Sequence, residues 1–524
     1  MSSALGNIEH VIVLMFENRS FDHILGAMPN CNGLMAGGTV NPAFYNTMQP
    51  LVAPGTSNPS VPPTPIVPGP GSEGQVIVHD FNHDFGDGMS QDLFGPGTTG
   101  VIQGEPQNNP TTTYPATNSG FLSAVGNSDN GVQDPSVMTY FEWGSMQVFH
   151  TLAQSFVACD AWHCDMPGHT APNRAFMHCA TTGDIGIDDN DDVGSSTMVN
   201  RLTIFERIQQ QGETWKMYWM GSNCDTNWLN EQVLSQQYSE NDPAGFNVTN
   251  VPIAVFFNDL TNGTLPFYSF IMCWSDIAST SMHPAASVEA GENLLACIYN
   301  ALSQSPYWGN TLLVVNFDEN GGIYDHVGVP QTVAPDADPN SGQPPPVWSW
   351  TENQTYSFDF TTLGVRIPVL LISPWLTQGV CSTQYQNTSI LRFLQDMLAQ
   401  PALPNWLTHR DEYAPSIAPV FDYDQFGSQT QRTDCPSNVQ GYPQGGITCA
   451  QLASFAPPTP EQLAAKPAPH IVKMTRQYLR PLPGHPDSGK PITRDFATVG
   501  EMRAYAKERM DAAQAYLKAK SRPR

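Results

Sequence analysis

Residues 8–16 read Ile-Glu-His-Val-Ile-Val-Leu-Met-Phe, and Glu17-Asn18-Arg19-Ser20-Phe21-Asp22-His23 follows directly. The first stretch is a nearly unbroken apolar run rich in β-branched side chains. Its length and character suit a strand buried on both faces, as in a parallel sheet. The run stops abruptly at a polar cluster. Ser20 is placed to cap a short helix over Phe21–Leu25, with Gly26 closing it. The polar cluster therefore sits where a strand hands over to a helix.

The same design recurs along the 524-residue chain. Residues 311–317 (TLLVVNF) form a second buried-strand pattern and end in Asp318-Glu319-Asn320-Gly321-Gly322. Residues 366–372 (RIPVLLI) end in Ser373-Pro374-Trp375, and 214–220 and 266–274 also read as strands. Helical patterns fall between them over 140–157, 201–211, 287–303 and 389–398. Strands alternating with helices predict an α/β fold around a mostly parallel central sheet. Such sheets bind ligands beyond the carboxyl ends of their strands, where these polar clusters are expected to gather.

A composition of 40% hydrophobic and 10% aromatic residues supplies a packed core. The expected organisation is a catalytic domain over 1–425, with an irregular loop or lid over 50–136. A Pro/Gly-rich segment and a basic helical tail follow over 426–524. Thr498 and Glu501 have the spacing of a capping box that opens the tail helix, with Met502, Ala506, Met510, Ala513 and Leu517 on one face. The formal net charge is −26, and it is unevenly spread. Residues 459–524 carry 13 Lys+Arg against 6 Asp+Glu, which leaves 1–458 at −33. So acidic a body argues against nucleic acid as a partner, because phosphate backbones are held by clustered Lys and Arg. The basic tail is expected to dock on this body or to meet membranes, with self-association through it a further expectation. No apolar run reaches the ~20 residues of a membrane span. No basic, apolar leader precedes residue 8, which leaves cytoplasmic residence and export both open. The ten cysteines contain no CxxC spacing, and Cys435 with Cys449, flanking a Pro/Gly-rich loop, could pair.

Glu17-Asn18 and Asp318-Glu319 lie some 300 residues apart but end two similar strands. Three carboxylates and an amide oxygen gathered at one sheet edge repel unless a cation balances them. The donors are hard oxygens, which suit Mg²⁺, Ca²⁺ or Mn²⁺ better than a thiolate-type zinc site. Asp325-His326 follows across Gly321-Gly322, a pair that lets the chain double back and return His326 to the same place. A histidine there would protonate a leaving oxygen or hold a phosphate. Thr170-Ala171-Pro172-Asn173-Arg174 has T-x-P-x-R spacing. A hydroxyl beside a metal is a nucleophile for phosphorus. Arg174 would bind phosphate or buttress the loop. His79, His83 and His283 are further candidates, and Asp188–Asp192 reads as an acidic surface loop.

Together these residues resemble the bacterial phospholipase C and acid phosphatase A family. The likeness rests on Glu17–His23 after an apolar first strand, Thr170–Arg174, Asp318–Gly322 with Asp325-His326-Val327, and Gly364-Val365-Arg366-Ile367-Pro368 leading to Ser373-Pro374-Trp375. It implies an alkaline-phosphatase-like three-layer sandwich. It implies one divalent metal ion (Ca, Mg, Mn or Zn) held by Glu17, Asn18, Thr170, Asp318 and Glu319. It makes Thr170 the nucleophile, with His79 or His83, His283 and His326 lining the phosphate pocket and Asn18, Arg174 and Asp325 touching substrate. The implied activity is hydrolysis of phosphate esters through a phospho-threonine, on phosphatidylcholine-like lipids. Alternatives are a broad acid phosphatase and a metal- and phosphate-binding protein without turnover. Where the family often carries a histidine before Thr388-Ser389, this chain has Asn387, and no role is assigned to it.

Overall fold

The computed structural model describes residues 3–47, 60–66, 81–83, 85–89, 92–93, 118–122, 134–183, 201–219, 248–273, 280–284, 286–335, 348–352, 354–398, 406–443, 447–454, 497–498 and 501. An eight-stranded sheet organises them. In chain order its strands are β1 (His10–Phe16), β2 (Val157–Cys159), β3 (Trp215–Trp219), β4 (Val248–Pro252), β5 (Tyr268–Met272), β6 (Thr311–Phe317), β7 (Val369–Ile372) and β8 (Gly379–Cys381). Their order across the sheet is β4-β3-β5-β1-β6-β7-β2-β8. The apolar run of the opening stretch lies in the middle. It is parallel to β5 on one side and to β6 on the other, with Val11 opposite both Tyr268 and Leu312.

All of Val11–Phe16 and the whole of β6 are buried, which requires cover on both faces of the sheet. Helices pack together in two groups. One holds α3 (Thr170–Cys179), α4 (Ile204–Gln210), α7 (Thr388–Met397) and α8 (His409–Tyr413); the other holds α5 (Ile253–Asn262), α6 (Glu289–Ser303) and α9 (Cys449–Ala453). The short helices α1 (Phe21–Leu25) and α2 (Phe149–Ser155) complete the set used below. The Ser20 cap on α1 forms as expected, its hydroxyl accepting the His23 N–H at 3.2 Å.

Two expected elements differ. The run 366–372 contributes only Val369–Ile372, and this strand pairs antiparallel with both of its neighbours. An apolar run has no direction of its own, so only the path of the chain decides which way it lies. The reversal puts Ser373-Pro374-Trp375 at the opposite edge from Glu17 and Asp318. It places Arg366, just before the strand, on their edge instead. The expected helix over 140–157 resolves into three pieces. Thr139–Phe141 pairs with Thr64–Ile66, α2 covers only Phe149–Ser155, and Val157–Cys159 is a strand of the central sheet. Gly144 adopts φ +86° between the first two pieces, which interrupts any helix there.

The chain beyond residue 425 continues onto the body. Tyr299 donates to the Pro436 carbonyl at 2.7 Å, and Asn300 exchanges two hydrogen bonds with the Val439 backbone. The disulfide joins Cys297 to Cys449 and ties α6 to α9, while Cys435 stays a free thiol. This corrects the pairing suggested by the loop between Cys435 and Cys449; α6 comes from a part of the sequence no local spacing reports. At the tail, Thr498 Oγ1 accepts the Glu501 N–H at 3.1 Å and Glu501 Oε2 accepts the Ala497 N–H at 3.0 Å. The rest of the expected tail helix, Asp188–Asp192 and His79 lie outside the described residues. Within 50–136, the described pieces are short strands such as Thr64–Ile66, a one-turn π-helix at Phe85–Met89 and a few connecting residues.

Candidate active site at the carboxyl edge of the sheet

The exits of β1 and β6 are stitched together. Asp318 N–H donates to the Phe16 carbonyl at 3.1 Å, Arg19 N–H to the Glu319 carbonyl at 3.1 Å, and Asn18 N–H to Asp318 Oδ1 at 3.0 Å. Asn18 is held in the left-handed region at φ +58°. Asparagine tolerates that conformation better than most residues, and such strain often marks functional sites. Gly321 and Gly322 follow at φ +64° and +65°. A Cβ on Gly321 would lie 2.6 Å from the Asn18 carbonyl oxygen, and one on Gly322 would lie 3.0 Å from Phe81 Cβ. The glycine pair therefore lets β6's exit close on Asn18 from one side while residues 81–83 descend from the other.

Helix α3 supplies the third wall. Asn173 folds the loop before it, its Oδ1 accepting from Met166 N–H and its Nδ2 donating to the carbonyls of Met166, Gly168 and His169, all at 3.1 Å. This fixes Thr170 as the first residue of the helix. Thr170 Oγ1 donates to Asn18 Oδ1 at 3.2 Å. One turn later, Arg174 reaches back with Nε 3.1 Å from Asp318 Oδ2 and Nη2 3.2 Å from Glu17 Oε1. Its geometry is that of a buttress between the two strand ends.

His83 completes the cluster. Its Nδ1–H donates to the Phe81 carbonyl at 2.6 Å, and its Nε2 lies 3.2 Å from Asn18 Nδ2. The same nitrogen is 3.3 Å from Glu319 Oε1. The Asn18 amide presents its nitrogen to His83 and its oxygen to Thr170. His283 lies in the adjoining loop. Glu17 N–H donates to the Ser281 carbonyl at 2.9 Å, and Arg19 Nε holds the Met282 carbonyl at 2.7 Å.

Glu17, Asn18, Asp318 and Glu319 are all fully buried, and Thr170 is 3% exposed. Among the described residues, three carboxylates are gathered around a guanidinium that bridges two of them and a histidine beside the third, and burying such charge is costly unless it is balanced. Glu17, Asn18, Thr170, Asp318 and Glu319 offer hard oxygen donors around the two strand ends and the start of α3. That donor set and its charge fit a hard divalent cation.

Asp325 and His326 join a second network beside the first. Arg366 lies at its centre, with Nε 2.9 Å from Asp325 Oδ1, and Nη2 3.1 Å from Asp325 Oδ2 and 3.0 Å from Asp22 Oδ1. His326 Nδ1 is 2.7 Å from Asp22 Oδ2, and its ring packs on Phe44 at 4.2 Å. Asp22, Asp325 and His326 offer three ligand atoms within 4.8 Å of one another. Arg366 bridges both carboxylates and His326 pairs with Asp22, so these groups already contact one another. Asp325 and His326, expected at substrate, lie against Arg366, Asp22 and Asn32. Arg366, Asp22 and Asn173 carry no functional signal of their own in the sequence, although all three lie within its motifs. Asn387, to which the sequence alone gave no role, is an anchor. Asn387 Oδ1 accepts from Trp162 Nε1 at 3.1 Å and Asn316 Nδ2 at 3.0 Å, and its Nδ2 donates to the carbonyls of Phe317 and Asp318 at 3.1 and 3.3 Å.

The model of the phosphoesterase family matches residues 8–399, a span that contains every residue of both networks. The chain belongs to the phosphoesterase family. It is a phosphoric ester hydrolase. Among its relatives, non-specific phospholipase C3 of Arabidopsis thaliana is 30% identical over 84% of this phosphoesterase and 78% of its own length. Non-hemolytic phospholipase C of Burkholderia pseudomallei is 27% identical over 75% of this chain and 55% of its own length. A solved protein of the alkaline phosphatase superfamily from Vibrio parahaemolyticus aligns with 51% of the chain and 63% of its own, at 13% identity and a TM-score of 0.30.

Proposed function

We propose that this phosphoesterase is a phospholipase C that cleaves phosphatidylcholine-like phosphodiesters, with Thr170 as nucleophile. The observation that carries the reading is the Thr170 hydroxyl, 3.2 Å from Asn18 Oδ1 and at the mouth of a helix whose first N–H groups are suited to an anion. Glu17, Asn18, Thr170, Asp318 and Glu319 would hold a divalent cation. When bound, such an ion supplies a Lewis acid that favours the Thr170 alkoxide and balances charge on the phosphoryl oxygens. Thr170 Oγ attacks phosphorus, the P–O bond to diacylglycerol breaks, and the leaving oxygen takes a proton. Water then cleaves the Thr170–phosphoryl bond and releases the phosphorylated headgroup. Arg174 and Asn18 keep the strand ends and the hydroxyl in register. His83 borders the cluster, and His283 in the adjoining loop is a further group suited to proton transfer. A body of −33 over residues 1–458 disfavours anionic membranes and tolerates zwitterionic lipids.

The test is hydrolysis of p-nitrophenyl phosphorylcholine beside p-nitrophenyl phosphate, with and without chelator, by wild type and Thr170→Ala. Diester turnover that disappears with chelator and in Thr170→Ala is the expected result. Turnover of the monoester alone would replace the lipid substrate with soluble monoesters. Equal turnover by wild type and Thr170→Ala would overturn the nucleophile.

A further inference from the structure

A cavity of about 450 Å³ lies between α2, with the loop before it, and residues 436–440. Its two walls are tied together. The Tyr442 hydroxyl donates to the Ser145 carbonyl at 2.9 Å, and Asn293 holds the Tyr442 backbone through bonds of 3.1 and 2.6 Å. Asn300 holds the Val439 backbone in the same way, and the Cys297–Cys449 disulfide fixes the chain beyond it. The cavity is therefore formed before any ligand enters it.

Among the described residues that line it, His150 is the one ionisable side chain. The Gly144 N–H donates to His150 Nδ1 at 2.9 Å, so Nε2 carries the proton and donates to the Ile24 carbonyl at 2.7 Å. Burial brings this imidazole down to about 4, which keeps it neutral. The lining thus offers no charge to pair with a charged ligand. It offers instead four exposed carboxamides, those of Gln147, Gln154, Asn438 and Gln440, whose side chains make no hydrogen bond to other described residues. Each carries two N–H donors and a carbonyl acceptor, which match hydroxyl groups that both donate and accept. Trp143 lies on the His150 ring, with centroids 4.6 Å apart and planes inclined by 28°. The half-buried indole is thereby backed and held as a shelf. Its electron-rich face suits the polarised C–H bonds on one side of a sugar ring. One aromatic ring without a carboxylate beside it in the lining does not make a cage for a quaternary ammonium.

We propose that this cavity binds a neutral saccharide, with Trp143 stacked on the sugar ring and the four carboxamides hydrogen-bonded to its hydroxyl groups. The site is separate from the carboxylate cluster and takes no part in the reaction proposed above. Its connection to the sheet edge is α1, whose Ile24 carbonyl accepts from His150 while Asp22 of the same helix joins the Arg366 network. The same chemistry is presented by a free oligosaccharide and by the headgroup of a neutral glycolipid.

The experiment is calorimetric titration of the full chain with lactose and with diacetylchitobiose, with choline chloride as the charged comparison. The expected result is saturable binding of at least one of the two sugars, weakened about tenfold or more by Trp143→Ala and by Gln154→Ala, while the variants melt with the wild type. Gln154 is exposed, so its variant decides the matter even if Trp143→Ala folds poorly. Sedimentation with phosphatidylcholine vesicles that carry or lack digalactosyldiacylglycerol separates the two sources. Retention by the glycolipid vesicles alone, reversed by lactose, assigns a lipid headgroup; sugar binding without such retention assigns a free saccharide. The proposal is overturned if neither sugar nor the glycolipid vesicles bind, if neither variant weakens the binding, or if choline binds in place of sugar.

Discussion

Replacing Arg174 by methionine tests the charge balance at the centre of the site. The side chain is fully buried and bridges Glu17 and Asp318 at 3.2 and 3.1 Å. Methionine fills much of the same space without the charge. Removing one partner of a buried ion pair costs about 3–5 kcal/mol, because the other charge stays buried. Unfolding entropy of about 2.1 cal/mol/K per residue gives a chain of this length roughly 1.1 kcal/mol/K, so the melting temperature should fall by about 3–5 °C. The assay is thermal unfolding of wild type and Arg174→Met in chelator, then with added Mg²⁺, Ca²⁺ or Mn²⁺. A cation at 100 times its dissociation constant contributes about 2.7 kcal/mol. The site without its guanidinium is more negative, so the metal should raise the variant's melting temperature more than the wild type's. An Arg174→Met protein that melts within 1 °C of wild type in chelator would refute the argument that the three carboxylates are held apart from water at a cost.

Gly321→Ala should lower diester turnover at least tenfold, since its Cβ would meet Asn18 at 2.6 Å in a left-handed conformation; unchanged kcat would count against the packing of Gly321 on Asn18. Asn387→Ala should cost about 2–4 kcal/mol in denaturant unfolding, because the buried donors of Trp162 and Asn316 lose their acceptor. A loss below 1 kcal/mol would show that other groups satisfy them. Burial raises the Glu292 carboxyl to about 7 against hydrogen bonds from the backbone of Val148 and Phe149. Between pH 4.5, its ordinary value, and 7, the folded chain keeps a proton that the unfolded chain has released, so stability falls as pH rises through that window. Glu292→Gln should flatten a decline of about 3 kcal/mol there, and parallel melting curves across pH for both proteins would reject Glu292 as its source.

The local chemistry of the site was legible in the linear sequence. An apolar run that ends abruptly in Glu17-Asn18 and another that ends in Asp318-Glu319 reveal buried strands and the polar edge beyond them, because burial on both faces demands continuous apolar residues. Gly321-Gly322 marked the sharp turn. Only the tertiary structure decided what these pieces do to each other. It turned Arg174 into a bridge between two carboxylates and Asn387 into the anchor of β6's exit. It reversed β7 and so carried Arg366 to Asp22 and Asp325. It joined Cys297 to Cys449 rather than Cys435 to Cys449. The physical reason is common to all of these. Strand burial, caps and turns are local properties written within a few residues. Strand direction and the pairing of buried charges and thiols depend on which distant segments become neighbours, and nothing within a few residues of Arg366 or Cys297 records that.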